Sequence, residues 1–152
     1  MLTPLPAQDR SQDAPVGTQA RHPDLEAKFL PFSAYLSTSS TLPARLRELV
    51  ILRVAHHHGC RREWEHHRPI ATAAGLSDAD VEAARTGAAA DPFDRLVLAA
   101  VDEMHEGSQI SPATWAALGE RLDERARIDL IFTAGGYGVL ATALNTLEPG
   151  PH

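Results

Sequence analysis

Five times along this chain a helix-start signal precedes an apolar pattern of helical period. The signals are Pro23-Asp24, Thr41 with Pro43, Ser77 with Asp80, Asp91-Pro92 and Ser111-Pro112. A Ser, Thr or Asp at such a position accepts a hydrogen bond from an N–H that the first helical turn leaves unpaired. Proline is tolerated there because its missing N–H would have had no partner. Behind the signals, mostly apolar residues trace one face at offsets of three and four. Examples are Leu25, Phe29, Phe32 and Leu36; Leu46, Leu49, Val50, Arg53, Val54 and His57; Phe93, Leu96, Val97, Ala100, Val101 and Met104; and Trp115, Leu118 and Leu122. No sustained period-2 run is bounded by hairpin turns. The expectation is an all-α domain.

The breaks sharpen this. Residues 37–41 are a polar interruption, and Pro31 should kink the first helix or end its first half. Gly59 stops the helix that Thr41 caps; a second runs from about Cys60 to Ala74, with Pro69 inside it and Gly75 closing it. Ser77 and Asp80 form a capping-box pattern for a short helix ending near Thr86. The last helix runs from about Asp123 to Leu147 and carries Ile128, Ile131, Phe132, Gly135, Val139, Thr142 and Leu144. Gly135, Gly136 and Gly138 each cost about 1 kcal/mol of helix propensity relative to Ala, so they should serve a close backbone approach or a bend. Residues 1–22, with Pro4, Pro6, Pro15 and Gly17, read as an extended arm, leaving 23–148 as the helical domain.

Bulk properties exclude several classes. A chain of 152 residues is most simply one domain, burying about two-thirds of its unfolded surface. Net charge is −6 and the pI about 5.7, against the basic surface that nucleic-acid binding needs. The one cysteine rules out an intramolecular disulfide and a two-thiol cycle within one chain. No apolar run approaches the roughly 20 residues of a membrane helix, and the first residues lack a signal-peptide pattern. The expectation is a cytoplasmic protein with neither nucleic-acid nor membrane partners.

Chemistry concentrates between Glu48 and His67. This stretch holds His56, His57, His58, Cys60, His66 and His67 with three carboxylates, Glu48, Glu63 and Glu65. On a helix, Cys60, Glu63, Trp64 and His67 share one face, at offsets of three, four and seven. A carboxylate one turn before an imidazole can orient it and raise its basicity, as acid/base catalysis requires. The plain alternative is a solvated ion pair. Cys60 at a helix N-terminus should have a lowered thiol pKa, unless it is simply packing. Three consecutive histidines point in three directions and cannot all reach one ion, so no metal and no cofactor are assigned. His22 and His105 have no motif around them and read as surface; Trp115 and the phenylalanines read as core.

The run LPARLRELVILRVAHHHGCRREWEHHRPIATAAGLSDADVEAARTG resembles the carboxymuconolactone decarboxylase family, within the alkylhydroperoxidase D-like superfamily. The later run from Phe93 to Leu147 looks like that family's second half, so the resemblance covers roughly residues 20–148. It implies an alkylhydroperoxidase D-like fold of about six to seven helices that assembles into trimers or hexamers. Redox members carry a Glu, a Cys-x-x-Cys twelve residues on, and a His four residues after the second Cys. Here the Glu falls on Glu48, the first Cys on Cys60 and the His on His67, while Glu63 stands where the second thiol would be. The decarboxylase branch needs no thiol pair.

The resemblance therefore implies Glu48, Cys60, Glu63 and His67 as catalytic residues. Trp64, His57 and Arg53 are expected to bind a small-molecule substrate. Arg45, Arg47 and Arg53 are candidate anchors for a carboxylate, although surface solvation suits at least two of them. The first reading is proton-transfer chemistry, such as decarboxylation, on a small organic acid, lactone or carbonyl compound. The alternatives are a peroxidase using Cys60 alone, and a non-catalytic small-molecule or metal-binding oligomer.

Overall fold

The structure, a computed structural model, describes residues 21–148; most of the expected N-terminal arm lies outside them. The described residues form seven α-helices and no strand: α1 Pro23–Ala34, α2 Ala44–His57, α3 Arg61–Ala73, α4 Asp78–Thr86, α5 Pro92–Gly107, α6 Pro112–Leu118 and α7 Glu124–Leu147. A π-helical segment, Tyr35–Ser39, extends α1.

Most start signals act as the sequence suggests. Ser77 and Asp80 exchange both bonds of a capping box, and the side chains of Asp91, Ser111 and Asp123 cap α5, α6 and α7. His22, expected only at the surface, also caps: its Nδ1 accepts from the Leu25 N–H at 3.3 Å. Thr41 does not cap α2. That helix begins at Ala44 behind Pro43, because a carboxylate claims Thr41 instead: its N–H and Oγ1 both donate to Asp129 Oδ2, at 2.7 and 2.6 Å. This ties the α1–α2 connection to α7. Pro31 does not end α1 either. The helix continues to Ala34 and then widens into the π segment, where Thr38 Oγ1 donates to the Ala34 carbonyl. Pro69 likewise sits inside an α3 that runs on to Ala73.

The core is built around α2, which packs on α3, α4, α5 and α7. Every residue from Glu48 to Ala55 is buried, so this helix has almost no solvent face. The face of α7 is less obvious. Its buried side carries Ala126, Leu130, Ala134, Tyr137, Ala141 and Leu144, while Ile128, Phe132 and Val139 point outward, Val139 being 64% exposed. Phe132 is thus not core. No other backbone comes close to a Cβ built at Gly135 or Gly138. Gly136 admits side chains: a Cβ there would lie 2.8 Å from Leu36 Cδ1 and 3.1 Å from the Phe32 ring. By length and composition alone, α7 is apolar enough to span a membrane, contrary to the sequence expectation; here it packs along α2 and the π segment.

Candidate active site

The α2–α3 hairpin creates the site. Gly59, at φ +57, turns the chain in the left-handed region that suits glycine, and the Cys60 N–H closes the turn on the Ala55 carbonyl at 2.9 Å. Folding α3 back along α2 sets His67 against Glu48. His67 Nδ1 lies 2.8 Å from Glu48 Oε2, and its Nε2 lies 3.5 Å from Glu63 Oε2. Glu48, Glu63 and His67 are all buried, and the Tyr137 ring stands edge-on to His67 at 5.1 Å.

Glu48 lies on the Nδ1 side of the ring and Glu63 on the Nε2 side. A ring that donates from Nδ1 to a carboxylate is left with Nε2 to exchange a proton with the group facing it. Arg47 steadies Glu48: its Nε lies 3.1 Å from Glu48 Oε1, while its Nη1 donates to the Ser37 carbonyl of the π segment. Glu63 is different. Burial pushes its carboxyl above the usual range, the nearby Glu48 charge adds to this, and His67 opposes it. Glu63 Oε2 has no hydrogen-bond partner. The trio can therefore pass a proton between a carboxyl and an imidazole whose other side is anchored.

Cys60 corrects the sequence expectation. It is the N-cap of α3 and packs on Ala141 and Leu144 of α7, 2% exposed. Burial pushes its thiol up, with the Glu63 charge in the same direction. The backbone N–H groups of Glu63 and Arg62 pull the other way and are outweighed. Trp64 is partly buried against the core, and His66 is exposed beside His67.

Arg53 and His57 join a second cluster. Arg53 Nε and Nη2 bond Asp102 at 2.8 and 3.2 Å, and its Nη1 bonds the carbonyls of Ala84 and Arg85 at the end of α4. That guanidinium is occupied in holding α4 and α5. Arg45 is likewise engaged, paired with Asp94 through both terminal nitrogens at 2.8 Å. His57 Nε2 lies 2.6 Å from Asp102, and its ring stacks on His105 at 4.2 Å. Asp102 escaped the sequence reading; His105, read as surface, is exposed and also stacks on His57, and their spacing of three residues on one helix places the two on a common face. Among the described residues, no group of three His, Cys, Asp or Glu side chains could hold a metal ion.

The carboxymuconolactone decarboxylase family profile matches residues 23–106, which include the whole Glu48–Glu63–His67 constellation. No curated protein matches the chain. Among solved structures, the chain is similar to ATU0492 of Agrobacterium tumefaciens, a protein of unknown function and candidate antioxidant defence protein AhpD. The TM-score is 0.78 at 14% identity, covering 91% of this chain and 97% of that one. The fold is therefore alkylhydroperoxidase D-like, and the chain belongs to the carboxymuconolactone decarboxylase family.

Proposed function

We propose that the protein is a carboxymuconolactone decarboxylase-like enzyme, a lyase using acid/base chemistry on a small organic acid, lactone or carbonyl compound. The observation that carries this is His67 set between two buried carboxylates, of which Glu63 has a raised pKa and an Oε2 with no hydrogen-bond partner. Loss of carbon dioxide breaks a carbon–carbon bond and leaves its electron pair on carbon, delocalised onto a neighbouring carbonyl as an enolate. Protonated Glu63 gives its proton to that carbon, and the carboxylate left behind takes back one proton from solvent by way of His67. Glu48 holds the imidazolium that forms in passing, and Arg47 holds the Glu48 side chain in place. Trp64 and Cys60 serve as neighbouring pocket wall.

The peroxidase reading rests on Cys60, and burial that keeps the thiol protonated works against it, since the thiolate is the nucleophile. One pair of variants separates the two. His67→Ala should lower turnover of a lactone-acid substrate by about 10³-fold, within the range of a lost acid/base group, while Cys60→Ser changes it by less than about threefold. Full turnover by His67→Ala ends the acid/base reading. Peroxidase turnover that is lost in Cys60→Ser supports the other.

We also propose a cytoplasmic homo-oligomer, a trimer or hexamer. Its support is an outward apolar patch in which Phe132 meets Phe32 edge to face at 6.5 Å and Ile128, Leu25 and Tyr35 are exposed. Phe132→Asp should reduce the mass seen by light scattering to that of a smaller assembly; an unchanged mass removes this patch from the interface.

A further inference from the structure

Away from the Glu48–Glu63–His67 trio, a cavity of about 720 Å³ opens between the end of α2, α5 and α7. Its walls are aliphatic, from Val54, Val101, Met104, Ala134 and Leu147, and its polar edge carries His57, His58 and His105. None of Glu48, Cys60, Glu63 or His67 lines it. The volume falls within the range of small-molecule sites, which pair apolar walls with a few placed polar groups.

We propose that this cavity is a second ligand site, taking a small apolar molecule that carries a hydroxyl, of the phenol class, with His57 as its hydrogen-bond acceptor. The chemistry follows from Asp102. Its carboxylate takes the Nε2 hydrogen of His57 at 2.6 Å, so the neutral ring has its lone pair on Nδ1 and calls for a donor. Arg53 neutralises Asp102, and the stack on His105, tilted by only 12°, fixes the plane of the His57 ring. A carboxylate ligand would offer no hydrogen to Nδ1 and would bring a second negative charge near Asp102. Among the described residues no group of three His, Cys, Asp or Glu side chains is placed to hold a metal ion here.

Small residues of α7 hollow the wall. A Cβ on Gly135 would meet nothing within 4 Å, whereas one on Gly138 would come within 3.2 Å of His58 Nε2. The first is thus a position from which the cavity can be filled without disturbing the fold. The outward patch at Ile128 and Phe132 lies toward the start of the same helix and is the surface assigned above to a second copy.

The test is titration of the full chain with 1-naphthol, with naphthalene and 1-naphthoate as comparison probes. The expected result is saturable binding of one naphthol per chain, at least tenfold tighter than either comparison probe. His57→Phe keeps the flat stack and removes the acceptor, and should bring naphthol to the affinity of naphthalene. Gly135→Leu should abolish binding of both while circular dichroism shows an intact helical fold. Naphthol binding no tighter than naphthalene, or unchanged binding by Gly135→Leu, overturns the proposal. So does a loss of subunits on Gly135→Leu, which would mean that a second copy covers this cavity. Because the readout is probe binding, the result is independent of whether the trio performs acid/base catalysis.

Discussion

Both imidazole–carboxylate pairs hang from α2, but they are assembled in opposite senses. At the trio, α2 supplies the carboxylate Glu48 and α3 supplies the imidazole His67. At the second cluster, α2 supplies the imidazole His57 and α5 supplies the carboxylate Asp102. The trio has two carboxylates around one ring and is buried. The second cluster has one carboxylate shared between a guanidinium and a ring, and Asp102 is partly exposed. The electrostatics diverge accordingly. Burial would raise Asp102, yet its bonds to Arg53 and His57 bring it below the ordinary range, while burial pushes His57 down. Asp102 is thus a fixed charge that orients a ring. Glu63, whose pKa is raised, is a group that can hold and release a proton. The lesson is that a carboxylate beside a histidine becomes an acid only where no cation balances it.

Exchanging the charged groups for neutral isosteres would break or sharpen that contrast. The largest expected effect is at Glu63. Glu63→Gln should lower kcat by about 10²-fold and remove one limb of its pH profile. Its stability effect should grow with pH. A carboxyl with a raised folded pKa contributes most below its unfolded pKa, near 4.5, and loses that contribution as pH rises through the folded value. Melting temperatures should therefore show Glu63→Gln gaining on the native protein from pH 5 to pH 8; a flat difference would mean that Glu63 is an ordinary surface-like acid.

Asp102→Asn should behave in the opposite way. Its lowered pKa gives stability present above the unfolded value, near 3.8, and lost as pH falls through the folded value. At pH 7 the substitution should cost about 2 kcal/mol, read by denaturant unfolding, because Arg53 loses its charged partner. That cost should shrink below pH 4. A cost independent of pH would show that shape rather than charge holds α5 to α2.

The smallest effects separate two adjacent glycines. Gly135→Ala points a methyl into the open space of the cavity wall and should stabilise by about 0.5–1 kcal/mol through helix propensity. Gly136→Ala meets Leu36 and Phe32 and should destabilise by about 1–3 kcal/mol through overpacking. Unfolding curves that moved in the same direction for both would contradict the difference between an open and a packed side of α7.

Much of the fold could be read from the chain because capping is local. Ser77, Asp91, Ser111 and Asp123 each bond a backbone N–H three residues on, so their meaning is written within one turn. Thr41 misled because its partner, Asp129, is 88 residues away. The outward side of α7 was hard to read because small residues fill both of its sides and leave little amphipathic contrast. Within the site, helical spacing alone put Glu63 and His67 on one face, and the family spacing added Glu48. Of the two readings of the thiol, packing holds and the lowered pKa does not: the helix N-terminus is visible in sequence, but the burial that outweighs it comes with Ala141 and Leu144. The pairing of Asp102 with Arg53 and His57 joins residues more than 40 apart and has no local signature.

The burial of α2 has a consequence for how the molecule opens. Exposure of an amide to solvent requires a fluctuation, and the segments that open most easily are those with few buried contacts. With its residues from Glu48 to Ala55 all enclosed, this helix should be among the last parts of the chain to open and the slowest to exchange. Glu48, Arg53 and His57 share that unit. A ligand held at either place deepens the same energy well, so the trio and the cavity are linked through the unfolding equilibrium even where no side chain connects them.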